Sequence, residues 1–189
     1  MRANFLKEVF IEFEGKASLA VINQMQMQDA IEYTIAKVLE KKPLIYVSLT
    51  KNAHEVMQMV SESKKNVFVI DIFSRETTYL NGIEPNIIYI NNPANLTSIQ
   101  IAVEKALKKF PEGIILFDSL GVLSIYNSEK LFEKFIYLFN NKMNLNNNTV
   151  LFFVVKNSIN ENILSSVKQF CDKTYDFSGL YVDSMELAH

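Results

Sequence analysis

Short apolar runs recur along the chain, separated by longer stretches in which apolar and polar residues follow a helical period. Each run is too short for a helix and is bounded by Pro, Gly, Asn or charged residues, which is typical of strands buried on both faces. These runs predict strands at residues 18–22, 44–49, 67–72, 86–90, 113–117, 149–155 and 173–177.

Amphipathic segments between the runs have apolar residues at spacings of three and four, which predicts helices. The helices are predicted at residues 29–41, from Asn52 onward, from Asn95 or Thr97 to Lys109, and at 128–143 and 160–170. Asn52 and Glu55 have the spacing of a capping box at the start of the second helix. The predicted core face of the fourth helix consists of Leu131, Phe132, Phe135, Leu138 and Phe139.

Two segments lack a clear period. Residues Gly121 to Asn127 are predicted to form a loop, and Phe5 to Phe13 a short helix or an edge strand. The alternation of apolar strands with amphipathic helices elsewhere predicts βαβ crossovers. We therefore expect one three-layer α/β domain over residues 1–189, with a mostly parallel sheet covered by helices on both faces. Its core is expected at about 16–177, with a loosely held tail from Ser178.

Composition and charge exclude several classes of protein. Hydrophobic residues make up 49% of the 189 residues and charged residues 21%, which excludes a disordered chain. The formal net charge of −2 gives no basic surface for nucleic acid. The sequence shows neither a signal peptide nor an apolar run long enough to span a membrane, and its single cysteine, Cys171, suits a reducing compartment. These features predict a cytoplasmic protein with no membrane association.

The strand at 113–117 ends abruptly in Asp118 and Ser119. In an open parallel sheet, ligands bind beyond the carboxyl ends of the strands, so these two residues are candidates for a binding site. The alternative is that Asp118 accepts backbone hydrogen bonds in the loop after its own strand. Asp71, at the end of the strand at 67–72, has the same two interpretations.

Other chemically versatile residues point to structural roles. His54 has no second histidine at metal-ligand spacing and is expected at the surface, and Cys171 is expected to be buried on the last helix. No ligand cluster with metal-binding spacing occurs, so we predict no metal site. Four methionines near predicted strand ends are expected in the core, with an adaptable binding surface as the alternative; they are Met25, Met27, Met57 and Met59.

The order of these segments resembles the KaiC-like ATPases of the RecA superfamily. The first strand followed by a loop and a long helix, and then the IYVSL strand, resembles the start of those proteins, and GIILFDSL at 113–120 resembles their Walker B strand. Further matching segments are EKLFEKFIYL at 129–138, NTVLFFV at 148–154 and DKTYDF at 172–177. The resemblance covers about residues 16–177 and implies a three-layer, RecA-like fold of the P-loop NTPase type. It also implies that Asp118 corresponds to a carboxylate that holds Mg²⁺ through water, with Ser119 beside it.

The chain departs from that family where the phosphate loop, G-x-x-x-x-G-K-[ST], should follow the first strand. The segment from Asn23 to Ala30 contains no Gly, Lys, Ser or Thr, so the backbone amides, the cation and the Mg²⁺ ligand of a phosphate cradle are missing. The residues at this degenerate position are Asn23, Gln24, Gln26 and Gln28, with Asp29 adding a negative charge. Thr50 and Lys51 also replace the acidic residues that the family carries after its second strand. The resemblance therefore implies an inactivated, archaeal-type relative, in which Asp118 and Ser119 are vestigial.

Three hypotheses of function follow. The first is a non-catalytic module that regulates or binds another protein in signalling, as a monomer or homodimer, with no catalytic residue, cofactor, nucleic acid or membrane partner. The second is an ATPase with an unconventional phosphate loop, which would use ATP and Mg²⁺ at Asp118. The third is a receiver-like signalling domain centred on Asp71, although Asn23 and Gln24 stand where a receiver needs an acidic pair.

Overall fold

Parallel strands pair side by side into one seven-stranded sheet in the part of the chain that the structure describes. The structure is a computed structural model that describes residues 16–60, 63–74 and 85–179. The strands are β1 (Ala17–Ile22), β2 (Leu44–Ser48), β3 (Val67–Asp71), β4 (Ile87–Tyr89), β5 (Ile114–Phe117), β6 (Val150–Val155) and β7 (Lys173–Asp176). The helices are α1 (Met27–Leu39), α2 (Ala53–Met59), α3 (Leu96–Lys109), α4 (Leu120–Tyr126), α5 (Glu129–Leu145) and α6 (Glu161–Phe170). Two short 3₁₀ helices span Gln24–Gln26 and Lys64–Asn66.

The strand order across the sheet is β4-β3-β2-β5-β6-β1-β7, and every pair is parallel. β1 therefore lies between β6 and β7, and β5 lies between β2 and β6. Because parallel neighbours need crossover connections, this order requires helices on the faces of the sheet. The three-layer α/β prediction is confirmed.

Successive strand residues point to opposite faces, and each face has its own core. Leu19, Val21 and Phe117 belong to the core under α3, α4, α5 and α6. Ala20, Ile22 and Tyr46 belong to the core under α1 and α2. β2 and β5 are buried along their whole length, which explains why their sequences are continuously apolar rather than alternating.

Aromatic packing makes the first of these cores dense. The Phe117 ring lies 5.4 Å from the Phe139 ring in an edge-to-face arrangement and 5.1 Å from Phe152, measured between centroids. All three side chains are fully buried. Burying a side chain of this size contributes about 1.5–3 kcal/mol relative to leaving it exposed. This packing fixes the position of β5, the strand that Asp118 directly follows.

The structure corrects the predicted loop between Gly121 and Asn127, because residues Leu120–Tyr126 form helix α4. Leu120 and Leu123 are three residues apart on one face of this helix and both are fully buried. Burial of that face outweighs the poor helix propensity of Gly and the β-branched residues in the segment.

The predicted core face of α5 is also partly wrong. Phe132, Phe135 and Phe139 are buried as expected, but Leu131 and Leu138 are about half exposed, at 49% and 50%. The apolar stripe of this helix is wider than its contact with the sheet, so helical spacing alone could not separate its buried positions from its exposed ones.

Helix starts were more predictable than helix faces. The Asn52 side chain accepts a hydrogen bond from the Glu55 N–H, and the Glu55 carboxylate accepts one from the Asn52 N–H, so the predicted capping box is confirmed. Ser178, predicted to begin a loose tail, is buried and donates from its N–H and its hydroxyl to Asp176. The predictions for Phe5 to Phe13 and for the tail from residue 180 lie outside the described residues.

Candidate functional site

Two buried carboxylates flank the carboxyl end of β2. Ser48 is paired in register with Asp71 on β3, and the preceding Val47 is paired with Phe117 on β5, which places Asp118 on the other side of Ser48. Both Asp71 and Asp118 have no exposed surface. The chain leaving β2 therefore passes between two aspartates that belong to the neighbouring strands.

Asp118 is fully occupied as a hydrogen-bond acceptor. Its Oδ1 accepts from the Leu49 N–H at 2.8 Å. Its Oδ2 accepts from the Thr50 hydroxyl at 2.7 Å and from the Thr50 N–H at 3.1 Å. The Tyr46 hydroxyl lies farther away, at 3.4 Å from the same oxygen. These donors come from β2 and the loop after it. The alternative interpretation, which expected donors from the loop after Asp118's own strand, is therefore wrong.

Burial and hydrogen bonding shift the pKa of Asp118 in opposite directions. Burial raises the pKa of Asp118 above its ordinary value, while hydrogen bonds from Thr50 and Leu49 and the charge of Lys51 oppose that rise. Burial, and then the nearby Asp118 carboxylate, raise the pKa of the Tyr46 phenol well above its ordinary value. Neutral Tyr46 is thus available as a donor, and the site ties β5 to the β2–α2 loop.

Asp71 performs a similar task on the other side of β2. Its Oδ2 accepts from the Ala53 N–H at 2.7 Å and from the Ser74 hydroxyl at 2.9 Å, and its Oδ1 accepts from the Ser74 N–H at 2.8 Å. Ala53 is the first residue of α2, so Asp71 satisfies one of the helix's free N–H groups. A carboxylate that is buried and bonded in this way has no oxygen directed to solvent for a phosphoryl donor.

The turn after β1, where the phosphate loop of the family would lie, is closed on itself. The Asn23 side chain accepts from the Met25 N–H at 3.1 Å, and the Gln26 N–H donates to the Asn23 carbonyl at 3.0 Å. No residue of the turn has a positive φ, and Asp29 lies in the first turn of α1. Two N–H groups that a phosphate would need are therefore bonded within the turn, and a carboxylate stands at the start of the following helix.

The structure brings some candidate residues together and keeps others apart. Asp118 and Ser119 follow β5, whereas Asn23, Gln24, Gln26 and Gln28 follow β1, and β6 lies between those strands. At about 4.8 Å per strand, the two groups begin roughly 10 Å apart. The partners of Asp118 that the sequence did not reveal are Tyr46, Ser48, Leu49 and Thr50. One signal for this contact was present in the sequence, because Thr50 directly follows a predicted strand of the parallel sheet.

The remaining candidates have ordinary environments. His54 is exposed and lies 2.9 Å from the Gln58 side-chain nitrogen. Met57 is buried, and Met27 and Met59 pack at the edge of the core. The predicted core position is wrong for Met25, which is 84% exposed. Cys171 lies just after α6 rather than on it, and burial raises the pKa of its thiol to about 12, which makes it a poor nucleophile. Within the described ranges, no group of three or more His, Cys, Asp or Glu residues is placed to hold a metal ion.

Comparison with known proteins adds the fold class. No protein-family model matches the chain. No curated protein matches it in sequence. A KaiC-like protein of the hyperthermophilic archaeon Pyrococcus horikoshii OT3 superimposes with a TM-score of 0.61 at 13% identity, covering 92% of this chain and 75% of that one. The chain has an α/β RecA-like fold.

A second solved structure leads to the same conclusion about the fold. An uncharacterized Pyrococcus horikoshii protein in complex with an unknown peptide superimposes with a TM-score of 0.67 at 12% identity. That match covers 92% of this chain and 82% of the other protein. Identities this low show a shared fold and carry no residue roles. The KaiC-like resemblance seen in the order of the sequence segments is therefore confirmed for the fold. Among the described helices, none combines the length and the apolar character needed to cross a membrane.

Proposed function

We propose that this chain is a non-catalytic, KaiC-like module that acts in signalling by binding a protein partner, and that it does not hydrolyse ATP. The observation that carries the proposal is the saturation of Asp118. A carboxylate that holds Mg²⁺, directly or through water, needs lone pairs directed into an open site. Both oxygens of Asp118 instead accept hydrogen bonds from Leu49 and Thr50, and the residue has no exposed surface.

Restoring a metal site at Asp118 would require breaking those bonds. Each buried N–H left without a partner costs about 1–3 kcal/mol. The turn from Asn23 to Gln26 offers no compensation, because it supplies neither a lysine nor a hydroxyl to a polyphosphate. Thr50 occupies a position where the family carries an acidic residue, and its hydroxyl donates a hydrogen bond to Asp118. The phosphate, metal and water-activating positions are thus all altered together.

A protein partner is supported from a separate direction. One structural neighbour of this fold is in complex with a peptide, so the fold can present a peptide-binding surface. The described part of the chain is a seven-stranded parallel sheet with a packed core of helices on each face. Such a scaffold suits recognition of another protein, because its surface is fixed before binding.

The test is isothermal titration of the purified chain with ATP and with ADP, each in the presence of Mg²⁺. We expect no binding heat and no phosphate release above a protein-free blank. An active KaiC-like ATPase measured in parallel serves as the positive control. Micromolar nucleotide binding would refute the proposal. Phosphate release that Asp118→Ala abolishes would replace it with the ATPase alternative.

A further inference from the structure

A groove separates α1 from α2 on the face of the sheet that these two helices cover. Its volume is about 580 Å³, which is within the range of ligand sites in proteins. The groove is lined by residues from the second half of α1 and from the end of α2 onward; they are Glu32, Ile35, Ala36, Leu39, Glu40, Met59, Val60 and Ser63. Helices run opposite to the strands they connect, so the groove lies toward the amino ends of the strands, away from Asp118.

The α1 side of the groove is one continuous helical face. Glu32, Ile35, Ala36, Leu39 and Glu40 follow the spacing i, i+3, i+4, i+7, i+8, which places them in one stripe. The apolar residues lie in the middle and a glutamate lies at each end. At a rise of 1.5 Å per residue, the two glutamates are separated by about 12 Å along the helix, or two turns.

The floor of this groove is apolar and partly adaptable. Ile35 and Val60 are almost completely buried, while Leu39 and Met59 are partly buried and pack at the edge of the core. Methionine changes shape easily and is common on surfaces that accept more than one partner. The groove therefore provides a site for apolar side chains.

The charges that line the groove are negative. Glu32 accepts a hydrogen bond from the Gln28 side chain, and Glu40 accepts one from Lys37 at 2.5 Å. Glu32 and Glu40 are both exposed, and the lining residues that the structure describes include no lysine or arginine. A solvent-exposed pair such as Lys37 with Glu40 contributes little, so an incoming cation can share or replace Lys37.

We infer that this groove binds a short amphipathic helix of a partner protein, with apolar residues along one face and a Lys or Arg at each end of that apolar stretch, about two turns apart. This inference rests on the proposed function and names its binding surface and the chemistry of its partner. Apolar anchors would pack between Ile35, Leu39 and Met59. The flanking cations would approach Glu32 and Glu40, two turns apart, which matches the length of a two-turn helical contact.

The test uses a library of random peptides displayed on phage, selected on the wild-type chain and depleted on Ala36→Arg. Ala36 is exposed at the centre of the groove, so arginine there adds bulk and positive charge without disturbing the core. The matched control is Ser165→Arg, at an exposed position on α6 on the opposite face of the sheet. Circular dichroism establishes that both variants fold like the wild type.

We expect enrichment of peptides with Lys or Arg flanking apolar residues at helical spacing. A resynthesised peptide should bind the wild type and Ser165→Arg equally. It should lose about tenfold or more in affinity for Ala36→Arg and for the double variant Glu32→Lys, Glu40→Lys. Binding to the wild type should also weaken as salt rises.

Three outcomes would overturn the inference: no enriched peptide, enrichment of acidic or uncharged peptides, or binding that Ala36→Arg leaves unchanged. Its failure is distinguishable from failure of the proposed function. A peptide that maps elsewhere on the chain leaves a binding module with a different surface, whereas micromolar ATP binding removes the proposed function whatever the peptides do.

Discussion

Asp118 accepts hydrogen bonds on both of its carboxylate oxygens, so Asp118→Asn places an NH₂ donor where an acceptor is required. Either orientation of the amide leaves the N–H of Leu49 or of Thr50 facing another donor. We expect Asp118→Asn to lower the free energy of unfolding by about 1–3 kcal/mol, measured by urea denaturation.

Thr50→Val is the graded control, because it removes one hydroxyl donor to Asp118 and leaves both N–H groups in place. It should cost about 1 kcal/mol, less than Asp118→Asn. A vacant metal site would give the opposite result. Removing a buried charge without a counter-charge should then leave stability unchanged or increase it. An Asp118→Asn variant as stable as the wild type would therefore contradict the structural role assigned here.

The sequence indicated Asp118 as important but not what it contacts. A carboxylate after a buried strand is visible from the pattern of residues. Its partners Leu49 and Thr50 are separated from it by about seventy residues of chain, at sequence distances of 69 and 68. Their proximity depends on β2 and β5 being neighbours in register, which is decided by the packing of the whole sheet.

At the scale of elements, helix α4 depends on a close approach at Gly121. A Cβ built at Gly121 would lie 2.6 Å from the Ser158 hydroxyl oxygen and 3.0 Å from the Ser158 Cβ. Alanine favours a helix over glycine by about 1 kcal/mol, so the clash and the propensity act in opposite directions. We expect Gly121→Ala to destabilise the wild type by about 1 kcal/mol, because overpacking typically costs about 1–3 kcal/mol.

The sign should reverse when Ser158 is first replaced by Gly, which removes both atoms of the clash. In the Ser158→Gly background, Gly121→Ala should stabilise the protein by up to about 1 kcal/mol. The full double-mutant cycle is measured by urea denaturation. Additive effects in the cycle would show that α4 and the loop after β6 do not meet as described.

Secondary-structure elements marked by a strong local sequence pattern were predicted correctly, whereas features that depend on tertiary contacts were not. The buried strands and the capping box at Asn52 were predicted because continuous apolar runs and cap residues are local features. Helix α4 was missed because its sequence contains Gly121 and Ser124, and because the burial of Leu120 and Leu123 that stabilises it depends on tertiary contacts. The exposure of Leu131 and Leu138 was missed because the sequence of a helix does not reveal how much of its apolar face the sheet will cover.

At the scale of the whole molecule, the order of segments was more informative than any single motif. The match to KaiC-like proteins of known structure is at 13% identity, where no residue-by-residue role transfers. Fold survives such divergence because a parallel sheet needs only apolar strands and amphipathic crossovers in the right order. A binding site depends on a few residues rather than on the pattern of the whole chain, and the segment between Asn23 and Ala30 contains no Gly, Lys, Ser or Thr.

The oligomeric state of the chain tests whether it retains a nucleotide site. Active relatives of the family that the sequence resembles often form rings with nucleotide at the subunit junctions. Under the proposed function, a chain in which Asp118 is buried and the turn at Asn23 is closed on itself would not bind the nucleotide that stabilises such a junction. Mass photometry should therefore show a monomer or a homodimer, with the same distribution before and after addition of ATP and Mg²⁺. Addition of the groove-binding peptide should leave that distribution unchanged as well, because the α1–α2 groove of each copy is a separate site. Hexamers, or a shift to higher mass on adding nucleotide, would indicate that a nucleotide junction persists despite the altered loop.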